Sequence, residues 1–163
     1  LSESVDILEQ KENVAAGMLG ALLLSTIGGA LWVLLFYFNI FHEICGVACV
    51  VGAVIGYRLF AKSASLKGVI LSIVISIFML LVASYFSLTL DVYYAYQNWY
   101  ANGEVAHAIE YYQALSGAYQ FLSEPLIALA CLKEFGIGIL FVLLGSFVFI
   151  IDGVRHHKMM KEY

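Results

Sequence analysis

Charge is what this chain of 163 residues has least of. Only 12% of its residues are charged against 63% hydrophobic, where soluble domains run at roughly 25% charged. So few charges leave too little polar surface for water, which excludes a soluble globular domain. The eight Lys and Arg residues are dispersed, so the dense basic patch that nucleic acid requires is missing. Proline occurs once, at Pro125, so long stretches carry nothing that breaks a helix. Cysteine occurs three times, with no Cys-x-x-Cys pair for thiol redox chemistry or paired zinc ligation. A Gly-x-Ser-x-Gly elbow, a phosphate loop ending in Lys-Ser/Thr and a His-Glu-x-x-His helix are also missing. The opening LSESVDILEQKEN is acidic and polar, unlike a signal peptide. Starting at Leu1, it leaves room for a soluble domain upstream.

What is present is apolar length, with a mean hydropathy of +0.91. Segments 14–38, about 41–60, 69–90 and 135–151 are predominantly apolar, and roughly 20 such residues cross a hydrocarbon core. The expected fold is all-α: a polytopic membrane protein with four transmembrane helices and a helical outer cap between the third and fourth. Residues 14–163 then form one membrane domain after a juxtamembrane segment, 1–13. Segment two is the weakest, and a re-entrant reading would change the count to three.

Lys and Arg set the orientation. Lys11, Arg58, Lys62, Lys67, Arg155, Lys158 and Lys161 all fall on one side of a four-span layout. The 91–134 connection holds only Lys133, against Asp91, Glu104, Glu110, Glu124 and Glu134. Cytoplasmic loops collect Lys and Arg, so both termini are expected in the cytoplasm, with 152–163 a basic tail there and 91–134 outside. His156-His157 with Lys158 and Lys161 reads as a lipid-attracting end.

Small residues recur along the first two segments: Gly17, Gly20, Ala21, Ser25 and Gly29, then Ala48, Gly52 and Gly56. Small side chains four apart let helix backbones approach closely. They serve either contacts within one monomer or a homo-oligomeric seam, and Gly52→Leu with Gly56→Leu should disrupt either. No ionisable residue lies near the middle of any span. A buried charge there normally marks transport or proton relay, so an ion-coupled transporter or proton pump is disfavoured.

The outer connection is rich in Tyr and Trp. It is expected to extend the third helix, turn at Asn102-Gly103, and run as an amphipathic helix from Glu104 onward. A new helix should start at Ser123-Glu124-Pro125. The aromatic residues suit an interface belt and packing face; any outer-surface binding would use Trp99, Tyr100, Tyr111 and Tyr112. His42, Cys45 and Cys49 would share one helical face. Metal ligation, a bridge to Cys131 and plain packing are the three readings of that row, with His107 within reach of its depth. No cofactor is implied.

Glu12-Asn13 with Gly17, Gly20 and Ala21, then Trp32, Gly56-Tyr57, Ser65-Leu66-Lys67-Gly68, Ser123-Glu124-Pro125 and Leu132-Lys133 carry a resemblance. On these residues the chain resembles an uncharacterised family of small four-span bacterial integral membrane proteins. The resemblance implies a bacterial plasma membrane and no activity. The loop layout is also similar to that of tetraspanins, without the Cys-Cys-Gly motif of their large loop. The expected role is non-catalytic: a scaffold or accessory subunit in the lipid bilayer, with a membrane-protein partner or a homo-oligomer. The alternative is a carrier or channel for a small apolar or lipid-like molecule, and a third reading is an enzyme using His42, Cys45 and Cys49.

Overall fold

A computed structural model describes residues 12–159 of the chain, with side chains through Arg155. Lys11, Lys161 and the side chains of His156, His157 and Lys158 lie outside the described residues. The described residues form helices α1 (Val14–Tyr37), α2 (Cys45–Ala61), α3 (Leu66–Ala101), α4 (Tyr111–Gly117) and α5 (Pro125–Met159). A 3-10 stretch, Ala118–Ser123, joins α4 to α5, and no strand occurs among them. Three helices, α1, α3 and α5 through Arg155, are long and apolar enough to cross a membrane, while α2 is a shorter apolar helix of 17 residues.

Local chemistry sets the ends. Asn13 caps α1 by accepting from the Ala16 amide at 3.0 Å, and Ser65 caps α3 by accepting from the Gly68 amide at 3.0 Å. Such caps satisfy amides that the first helical turn leaves without partners. α3 continues past its apolar stretch through DVYYAYQNWYA and stops at Asn102-Gly103, where Gly103 takes φ +73°. Pro125 opens α5, its missing N–H costing nothing in a first turn, and α5 runs on through Lys133 and Glu134.

Two expected boundaries move. The second helix starts at Cys45, not near Phe41: Cys45 and Gly46 donate back to the His42 and Glu43 carbonyls at 2.9 and 3.1 Å, which closes a turn before the helix. His42 is therefore off the helix that carries Cys45 and Cys49, and the three do not form one helical row. Residues 104–110 are also not helical. A reciprocal cap between Glu110 and Gln113 fixes the start of α4 at Tyr111, and the Gln97 side chain donates to the Ile109 carbonyl at 2.9 Å. That bond holds the preceding chain against α3 in an irregular form.

α1 and α2 pack as a hairpin, α3 lies against both, and α5 packs on α2 and α3. The glycines show how close the hairpin is. A Cβ on Gly56 would run into the Gly20 carbonyl, one on Gly20 into that of Gly56, and one on Gly52 would lie 2.6 Å from the Leu24 carbonyl oxygen. Gly28 meets the Cys49 backbone, Gly17 meets the Tyr57 ring, and Gly29 turns to Met79 of α3. Ala21 and Ser25 are fully buried, whereas Ala48 is half-buried. Between α2 and α5, Gly46 abuts the Gly138 carbonyl, and Gly138 in turn sits under the Trp32 ring. The buried hydroxyls of Ser72, Ser76 and Ser87 donate to carbonyls four residues back on their own helix, so they form no polar path.

At the end where α2 meets α3, Glu12 accepts hydrogen bonds from Tyr57 Oη at 2.8 Å and from Ser65 Oγ. Gly68 leaves room for the Tyr57 ring. Residues far apart in sequence, Glu12-Asn13, Gly56-Tyr57 and Ser65 to Gly68, thus form one buckle. Arg58 completes that end by pairing with Asp152 of α5 at 3.0 Å while lying over Phe149.

Candidate functional site

The opposite end holds a concentration of ionisable groups next to a cavity. The turn between α1 and α2 folds His42 and Glu43 inward until each is 8% exposed. His42 lies edge-on to Trp32 at 4.7 Å and to Phe36 at 5.1 Å between ring centroids. Its Nε2 is 3.7 Å from Glu134 Oε2 and its Nδ1 is 3.9 Å from Glu43 Oε2. Both separations are too long for hydrogen bonds, and His42 Nε2, Glu43 Oε2, Trp32 Nε1 and Ser84 Oγ have no hydrogen-bond partner among the described residues. Buried polar atoms are seldom left that way.

Electrostatics follow from the crowding. Burial acts to lower the basicity of His42, but the Glu134 and Glu43 carboxylates outweigh it and its pKa is raised above 6.5. Asp91, an exposed residue of α3, feels the like charge of Glu134 and the opposing charge of His42.

Two cavities meet here. A smaller chamber of about 250 Å³ has a mostly apolar wall that includes Phe36, Leu88, Leu126 and Ile127, with Ser84, Asp91, Cys131 and Glu134 set into it. An apolar groove of about 690 Å³ runs between α3 and α5, lined by Leu81, Tyr85 and Leu88 on one side and Ala128, Leu132 and Phe135 on the other. Ser84, Leu88 and Cys131 belong to both. Leu122 of the 3-10 stretch closes one end of the groove. Tyr85 Oη donates to the Leu115 carbonyl at 2.5 Å, which ties α4 to α3 beside the groove. Leu81 and Leu132 are exposed at 54% and 66%, so the groove opens sideways.

The other sequence candidates lie elsewhere. Cys45 and Cys49 are buried in the core with Trp32 and Val142, and Cys45, Cys49 and Cys131 are all free. Among the described residues no group of three or more His, Cys, Asp or Glu is arranged to hold a metal ion. Tyr111 of α4 lies edge-on to Tyr93 of α3 and helps pack the cap onto that helix, whereas Trp99 lies edge-on to Tyr96 of its own helix. Tyr100 and Tyr112 are exposed. Sequence reasoning took Asp91 and Glu134 only as acidic residues of the 91–134 connection. The available signal was depth: His42, Asp91 and Glu134 all stand at the ends of apolar stretches. No protein-family model, curated protein or solved structure matches the chain.

Proposed function

We propose that this chain is a four-span membrane protein that holds a lipid-like amphiphile between α3 and α5, near the leaflet opposite its cytoplasmic termini. One observation carries the reading: a laterally open apolar groove shares its wall with a chamber into which Asp91 and Glu134 are set. Small-molecule sites typically occupy about 300–1,000 Å³ and combine apolar walls with a few polar groups, and the groove and chamber together have that character. An apolar slot that shares a wall with a cavity bearing two carboxylates suits a molecule with a tail and a head. The Lys and Arg distribution supports the orientation, and the family resemblance points to a bacterial plasma membrane. Thiol labelling from outside should reach Asn102→Cys and miss Ser65→Cys; the reverse result would invert the topology.

The role of accessory subunit retains one specific support, the exposed Tyr100 and Tyr112, since aromatic residues often anchor interfaces. The small residues support it less, because Gly20, Gly52 and Gly56 face backbone within the same chain.

Photolabelling tests the groove. A long-chain alcohol bearing a diazirine near its tail would be activated with the purified protein in phosphatidylcholine nanodiscs. Saturable labelling should concentrate on residues 81–88 and 128–135 and be competed by unlabelled alcohol. Uncompeted labelling spread equally over lipid-facing residues such as Leu19 and Leu23 would overturn the reading.

A further inference from the structure

The chamber's charges are of one dominant sign. Asp91 and Glu134 stand in its wall, and Glu43 stands behind them across His42. With His42 protonated, three carboxylates still face one cation. No Lys or Arg lines either cavity, so an anionic head would find repulsion and no compensating donor. Asp91 is exposed and the Glu134 side chain is 39% exposed, so both carboxylates are accessible from the chamber's mouth. His42, more than nine-tenths buried, directs Nε2 at Glu134 without reaching it. Ser84 Oγ, at the junction of the cavities, is equally without a partner. These groups call for a ligand that donates several hydrogen bonds and carries positive charge. Phe36 in the same wall adds an aromatic ring, which attracts cations.

We propose that the occupant is a single-chain amphiphile whose head is a protonated amine, held by Asp91 and Glu134 while its alkyl chain lies in the groove. This rests on the groove reading above and names the class of molecule that fills it. An ammonium offers three donors, enough for both carboxylates and the Ser84 hydroxyl. Its charge-assisted bonds are roughly twice as strong as neutral ones. From Leu88 to Leu81 the groove runs along α3 for about 10 Å at the helical rise, which gives an alkyl chain a path toward the bilayer centre.

The photolabelling assay decides it when run as a competition. Primary alkylamine, alcohol and alkyl phosphate of one chain length would each compete against the diazirine alcohol in uncharged phosphatidylcholine nanodiscs. The amine should compete at about tenfold lower concentration than the alcohol, and the phosphate should be weakest. Asp91→Asn with Glu134→Gln should remove the amine's advantage while leaving labelling by the alcohol in place. Equal competition by all three heads, or preference for the phosphate, would overturn the amine assignment while leaving the groove standing. Failure of the alcohol to label the groove at all would remove both. If the double variant does not fold, the ranking of heads on the unaltered protein still decides the question.

Discussion

Gly56→Ala should leave little folded protein. A methyl group at this position would enter the Gly20 carbonyl, 2.6 Å from its carbon and 3.0 Å from the Ala21 amide nitrogen. Those are backbone atoms of α1, so no side-chain rotation relieves the clash and the two helices must separate. Overpacking of a close contact typically costs about 1–3 kcal/mol, and here every contact along the hairpin is disturbed as well. Gly20 would lose its fit against Phe60, Gly52 against Leu24, and Gly28 against Cys49. Gly136→Ala provides the control, because a Cβ there meets nothing within 4 Å. The thermal midpoint in detergent should fall steeply for Gly56→Ala and stay level or rise for Gly136→Ala. Equal midpoints would show that the hairpin is looser than its geometry implies. In lipid this contact matters more than in water, since apolar surface gains nothing by leaving a hydrocarbon solvent and close packing has to hold helices together.

The parts of the fold that sequence reveals are those governed by length and period. α1, α3 and α5 emerge from apolar runs near or above the crossing length, and the Asn102-Gly103 turn and the Pro125 start follow from the backbone preferences of those residues. α2 was located but misplaced at its start. Ile40 and Phe41 extend its apolar run, and Ile44, at the position preceding the helix, has no side-chain cap; nothing local announces the turn. Residues 104–110 read as helical because Val105, Ile109 and Tyr112 recur at helical spacing. The Glu110–Gln113 cap and the Gln97 bond to Ile109 override that period. The site was hidden for a different reason. Asp91 and Glu134 sit on different helices, and each alone marks a membrane boundary. Only the packing of α3 against α5, with the 41–44 turn folded over them, puts both beside His42. Tertiary arrangement of that kind leaves no trace in a single helix's pattern.

The groove can be closed without touching its charged end. Ala128 is half-buried on α5 and lines the groove opposite Leu81, Tyr85 and Leu88. Ala128→Phe adds a ring pointing into space that the folded chain leaves unfilled, so stability should stay near that of the parent, whereas the alkyl chain loses its place. Photolabelling at 81–88 and 128–135 should fall sharply, because the ring takes the space the chain would fill and removes the close contacts that, in a hydrocarbon solvent, are what hold it there. Amine, alcohol and phosphate should all be affected alike, because the change removes the seat of the tail and leaves Asp91, Glu134 and His42 in place. Ala128→Ser, which adds one small atom, should retain labelling. An unchanged labelling pattern in Ala128→Phe, with a thermal midpoint equal to the parent's, would mean that the alcohol binds elsewhere on the lipid-facing surface. The contrast with the head-group variants is the stronger part of the test: Asp91→Asn with Glu134→Gln alters which head is preferred, whereas Ala128→Phe alters whether any chain is held.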